Sequence, residues 1–219
     1  MQDAVINING NSIQTLELIF LMTSISLLPF VLLMMTCFTR IIIVLSFARS
    51  AMGVQATPPN SVLIGIALFL TLFVMTPVIT EVTQTAYVPY RNEEISQQEA
   101  LQRGVVPLKE FMLRQTEHSA LALFEEMGGI TDPPENVQDL PLTVVVPAFI
   151  TTELKRALVM GFLIYIPFVL IDIIVSSTLM SMGMIMLPPA MISLPFKLLL
   201  FITVNGWELL FATLVRSFN

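Results

Sequence analysis

The 219-residue chain is 55% hydrophobic and only 12% charged, against ~25% charged in a typical soluble domain, which places it in or against a membrane. Its net charge of −6 hides a division: residues 81–139 carry −7 and the remainder +1, so an acidic, water-facing insert separates two nearly uncharged apolar halves. No basic patch offers itself to nucleic acid, the lone Cys37 excludes an internal disulfide, and the single histidine, His118, is too little for a His-based zinc site. No phosphate-cradling G-x-x-x-x-G-K-[ST] loop is present, so the chain does not look like its own nucleotide-driven motor.

Residues 18–39, 50–80, 157–171 and 173–196 carry no charge, and a membrane span needs ~20 largely apolar residues. Pro29, Pro77, Pro167 and Pro195 interrupt these runs, and such interruptions in lipid point to a protein that carries something across. Residues 1–11 lack the basic region of a secretory signal. Residues 13–48 read as one long helix with Arg40 and Arg49 at its polar end. The Pro58–Pro59 loop follows, then a second apolar helix over 61–80, kinked at Pro77. In the insert, Ser96 and Glu99 form a capping box whose helix stops near Gly104. Pro107 opens another helix, which runs to Gly128–Gly129.

After a loop at 131–136 comes a charged collar, Glu153-Leu-Lys155-Arg156, and then helices over 157–180 and 190–215 around a loop ending in Pro188–Pro189. The expected fold is all-α: membrane-associated helical hairpins with a small helical insert. It divides into residues 1–80 (N-terminal region and first hairpin), 81–140 (acidic insert) and 141–219 (second hairpin). Both halves share the plan of helix, Pro-Pro loop, helix, as interrupted segments of transporters do. By the positive-inside rule Arg40 and Arg49 put the insert outside, yet Lys155 and Arg156 then fall at the outer end of the third helix. Helices buried against other subunits resolve that conflict.

Three constellations stand out. Met180, Met182, Met184 and Met186 recur at every second residue. In an extended segment they would share one side, as an adaptable seal; at a helix end they would be packing filler. In an antiparallel hairpin, Asp172 and Lys197 lie at similar depth and can pair, and so can Arg156 and Glu208 near the open end. The first pair is a structural ion pair or a proton relay. Gly53, Gly65, Gly161 and Gly183 allow close helix approach. No nucleophile–base constellation suggests an enzyme.

The stretches F-T-R-I-I-I-V-L-S-F-A-R (38–49), T-P-P-N-S-V-L-I-G-I-A-L-F-L-T-L-F-V-M-T-P-V (57–78), P-L-T-V-V-V-P-A-F-I-T-T-E-L-K-R-A (141–157), M-G-M-I-M-L-P-P (182–189) and I-S-L-P-F-K-L-L-L-F-I-T-V-N-G-W (192–207) resemble the flagellar biosynthetic FliP family. The resemblance covers residues 15 to 215, and its wording is closer to the flagellar branch than to the virulence injectisome branch. It implies a non-enzymatic subunit of a type III protein export gate in the bacterial cytoplasmic membrane and flagellar basal body. Several copies would assemble in a helical ring with FliQ- and FliR-like subunits beneath the rod and pass unfolded flagellar proteins, with no cofactor or metal of their own. The family's gate loop is three methionines after a glycine. Here Gly183 is followed by Met184, Ile185 and Met186, so the seal falls to Met184 and Met186, helped by Met182. The alternatives are an injectisome gate subunit and an ion or small-solute transporter working through Asp172 and Lys197.

Overall fold

The computed structural model describes residues 5–8, 11–54, 57–130, 134, 136–184 and 186–218. Two short strands, Val5–Ile8 (β1) and Asn11–Gln14 (β2), pair antiparallel with Val5 opposite Gln14. The rest of the described secondary structure is helical, so the all-α reading holds apart from this hairpin, which lacks an alternating apolar pattern long enough to announce it.

The long helix expected over 13–48 is two helices, α1 (Thr15–Met35) and α2 (Phe38–Ala51), bent by 78°. The break needs neither glycine nor proline, because threonine hydroxyls replace the lost helical bonds. The Thr39 hydroxyl donates to the Leu33 carbonyl at 2.7 Å, and the Phe38 amide donates to Thr36 Oγ1 at 3.3 Å. The second helix, α3 (Asn60–Val82), does not stop at 80. It continues through a π-helical turn (Thr83–Tyr87) into α4 (Val88–Arg91) as one 32-residue helix, about 48 Å long. Thr76, Thr80, Thr83 and Thr85 each turn a hydroxyl back onto the carbonyl four residues earlier, so these hydroxyls are satisfied within the helix.

In the insert, α5 (Gln97–Gln115) is capped by Ser96, whose hydroxyl accepts from the Glu99 amide at 3.2 Å. The other half of the capping box is replaced by a Glu99–Arg103 ion pair. The helix does not stop at Gly104. It runs on through Pro107, because packing of its Pro107, Phe111 and Met112 face outweighs a glycine cost of about 1 kcal/mol. It breaks at Thr116–Glu117 instead, and α6 (His118–Met127) follows.

The third long helix is longer than expected. α7 (Leu142–Ser181) runs unbroken through Pro147, the charged collar and Pro167, about 60 Å in all. The last helix is two, α8 (Pro189–Thr203) and α9 (Gly206–Arg216), bent by 61° at Asn205, which sits in the left-handed region with φ +50°. Among the described residues two helices are long and apolar enough to cross a membrane, or up to four if each bent pair is one span.

The core centres on α2. Its Ile41, Val44, Leu45 and Ala48 are fully buried, against Val145, Ala148, Phe149 and Ala157 of α7, Leu63 and Ala67 of α3, and Leu210 and Leu214 of α9. α2 and α7 approach so closely at Gly161 that a Cβ there would sit 2.5 Å from Phe47 Cγ. Gly161→Ala is therefore expected to force the helices apart and lower stability by about 1–3 kcal/mol. The check is thermal unfolding in detergent beside Gly65→Ala, where no atom lies within 4 Å; equal melting of the two variants would contradict the close approach.

Beyond this core, the α7–α8 hairpin stands nearly bare. Only 11% of the most apolar stretch of α7 is buried. Phe162, Leu163, Leu170, Ile174, Leu199 and Ile202 are all more than half exposed.

Candidate functional site

The far end of the hairpin carries the methionine loop. α7 ends in a Schellman motif: the Met184 amide donates to the Leu179 carbonyl and the Gly183 amide to the Met180 carbonyl, each at 3.0 Å. This motif needs a left-handed residue, and Gly183 supplies it at φ +74°. Pro188 and Pro189 then start α8. The loop is thus a tight turn and not an extended segment. Met180 still belongs to α7, and Met182 caps it at φ −84°, ψ 2°. An extended display of all four methionines on one side is therefore not what the chain adopts. Met186 is 98% exposed and Met182 67%, while Met184 is partly covered. Ile185 lies outside the described residues.

Behind the turn, Lys197 Nζ donates to Asp172 Oδ2 at 2.6 Å, and the Ser193 hydroxyl donates to Asp172 Oδ1 at 2.6 Å. Lys197 and Ser193 are buried, so these bonds join α7 to α8 about two to three turns behind the tip. Arg156 and Glu208 do not meet. Arg156 donates to Gln115 Oε1 at 3.0 Å, and Glu208 is exposed. The depth argument for that pair assumes one straight helix over 190–215, and the bend at Asn205 removes it.

At the other end of the hairpin a second charged cluster ties the fold together. Arg40 on α2 and Glu153 on α7 are both essentially inaccessible. Arg40 Nε donates to Glu153 Oε2 at 2.9 Å, and Nη2 donates to Oε1. Nη1 donates to the Ser217 carbonyl and hydroxyl at 3.0 Å each, and the guanidinium lies 3.8 Å from the centre of the Phe218 ring. Gln115 joins in, donating to the Phe218 carbonyl at 3.0 Å. Nearby, Lys155 donates to Glu117 at 2.6 Å and holds that carboxyl below the usual carboxylate range. This exposed contact is complete at neutral pH and fades as pH falls through the lowered value.

The FliP family model matches residues 21–214. The chain is 51% identical to the flagellar biosynthetic protein FliP of Bacillus subtilis over 95% of its own length and 94% of that protein. It is 52% identical to the Pectobacterium carotovorum protein of the same name, covering 94% of this chain and 79% of that one. The Aquifex aeolicus protein of that name is 45% identical, with 96% and 88% covered. The chain belongs to the FliP family. The matched FliP segment takes in α2 through most of α9, and with them the methionine turn, the Asp172–Lys197 pair and the Arg40–Glu153 pair.

The sequence places Arg40 at a helix end and Glu153 in a charged collar, and does not show their union. A signal was available: Arg40 is an isolated charge between apolar runs, and a charge buried there must find a partner. What the sequence cannot supply is the partner, because the two residues are 113 positions apart.

Proposed function

We propose that this FliP-family chain is a non-enzymatic subunit of the flagellar protein export gate in the bacterial cytoplasmic membrane. Several copies ring a channel with FliQ- and FliR-like subunits and pass unfolded flagellar proteins. The observation that carries the reading is the bare α7–α8 hairpin: among the described residues little covers its apolar faces. A helix that is apolar all round belongs inside a larger assembly or in lipid. Copies standing side by side would bury these faces and bring their methionine turns to a common axis. There Met182, Met184 and Met186, with Ile185, form the seal.

In this reading the Asp172–Lys197 pair is a brace that fixes the turn's position, not an ion path. Lys197→Ala is expected to loosen the hairpin by about 1 kcal/mol, the loss of one charge-assisted hydrogen bond at a partly exposed carboxylate that keeps its bond from Ser193. The exchange of Asp172→Lys with Lys197→Asp should restore much of the loss in assembly yield. A swap no better than the single variants would remove the brace.

Native mass spectrometry of the detergent-purified chain, alone and co-expressed with its FliQ- and FliR-like neighbours, tests the whole proposal. A discrete homo-oligomer that gains those subunits is expected. A stable monomer or dimer that ignores them would overturn the gate and favour a solute transporter.

A further inference from the structure

The α7–α8 hairpin leaves the core at one level, and both of its helices are weakened there. Pro167 of α7 has no amide to donate to the Leu163 carbonyl, so the helix lacks one bond of its ladder at that turn. Pro147 carries the same defect, but buried Val145, Ala148 and Phe149 hold the helix around it. Around Pro167 the helix is open: of residues 163–170 only Phe168 is buried. On the returning side, α8 ends at Thr203 and α9 begins at Gly206, with the 61° bend at the left-handed Asn205 between them.

The two weak points border one space. An almost wholly apolar cavity of about 310 Å3 is lined by Ile164, Pro167 and Phe168 from α7 and by Phe201, Val204 and Gly206 from the returning side. Close-packed interiors resist movement, so unfilled space at this level matters. Among the described residues, Ala51, Met52, Phe168 and Phe201 form a small buried cluster of their own, separate from the main core. Phe168 and Phe201 lie 6.4 Å apart between ring centres, and Phe201 meets Trp207 edge-on at 5.1 Å. Beyond this joint, Lys197 and Ser193 both bind Asp172 and stiffen the hairpin. A stiff unit held through two weakened turns beside an unfilled space is the arrangement of a hinge, in which a few residues at element ends absorb the change.

We propose that Pro167 and the Asn205–Gly206 break are the two halves of one hinge, about which the braced hairpin tilts as a unit. From Phe168 to Met182 is about 21 Å of helix, so a tilt of about 15° carries the methionine turn about 5 Å. The use of that movement rests on the gate reading above. Copies packed side by side would tilt together, their apolar faces sliding as packed helices do in shear movements, and the turns would part around a passing chain.

The test is hydrogen exchange read by mass spectrometry on the full chain assembled with its FliQ- and FliR-like neighbours, beside export of flagellar proteins by cells carrying the same variants. In the wild type, amides at 164–171 and 204–208 should exchange about tenfold faster than those at 150–160, once intrinsic rates are allowed for. Pro167→Ala restores the missing bond without harming the fold, so it should slow exchange at 164–171 about tenfold. It should also lower export several-fold while the resting complex stays closed, because the flexibility that export needs is gone. Ile164→Phe, which fills the cavity, should act in the same direction. Uniform protection along α7 in the wild type, as a neighbour seated in the cavity would produce, overturns the hinge. So does unchanged exchange in Pro167→Ala. Slowed exchange with untouched export upholds the hinge and removes its part in gating. A chain that ignores those neighbours removes the gate reading, and exchange in the chain alone then decides the hinge.

Discussion

Glu153→Ala is expected to destabilise the protein by about 3–5 kcal/mol, because it leaves the Arg40 guanidinium buried and unpaired. Arg40 is 1% exposed and Glu153 0%, so the guanidinium lacks the bulk water that would stabilise a charge left without its carboxylate. A domain's whole stability is about 5–15 kcal/mol, so this single change should sharply lower the yield of folded chain. The damage should also reach the C-terminus, since Arg40 holds the Ser217 carbonyl and lies against the Phe218 ring. Limited proteolysis of the detergent-solubilised variant should therefore clip the terminal residues first. Replacing both partners by apolar residues, Arg40→Met with Glu153→Leu, should recover most of the loss, as apolar replacements of buried pairs often do. A double variant no more stable than Glu153→Ala would show that the pair's own geometry, not the orphaned charge, is what matters.

Which features were legible in the sequence follows from how far apart their causes lie. The apolar character of α3 and α7, the Ser96 cap and the end of α6 at Gly128–Gly129 depend on residues a few positions apart, and they are read correctly. The ends of the long helices are not. Pro77, Pro147 and Pro167 sit inside α3 and α7 without ending them, because the surrounding helix supplies enough bonds to absorb a missing one. The real breaks, at Thr36–Cys37 and at Asn205, carry no proline. They are set by hydroxyl bonds and by one left-handed asparagine.

The same contrast governs the charged groups. Asp172 and Lys197 lie near a single tight turn, so hairpin register brings them to 2.6 Å. Arg156 and Glu208 lie farther out, beyond the bend, and the same register argument fails. Arg40 and Glu153 belong to different halves of the chain, and no local pattern joins them.

Deleting residues 184–186 is expected to make the assembled complex leaky to ions while leaving its assembly intact. The deletion removes the exposed tip and the Met184 amide that bonds the Leu179 carbonyl, but it brings the Leu187 amide into that position after Gly183, and Pro188–Pro189 still opens α8. The Asp172–Lys197 brace lies behind the cut and keeps the two helices in register. In the proposed gate, every copy would thereby lose the apolar side chains that plug the channel. Hydrophobic constrictions hold back ions by excluding water, and methionine is well suited to closing around an irregular chain and refilling the gap afterwards. If the proposed ring forms, the leak should rise clearly above that of the unaltered complex, read as conductance of reconstituted complexes or as collapse of a potential-sensitive dye signal in cells. Met186→Gly, which removes the most exposed tip, should give a smaller leak in the same direction. A deletion complex of normal subunit composition and unchanged permeability would mean that the turn does not seal the channel. The constriction would then have to be sought along the bare faces of α7 and α8.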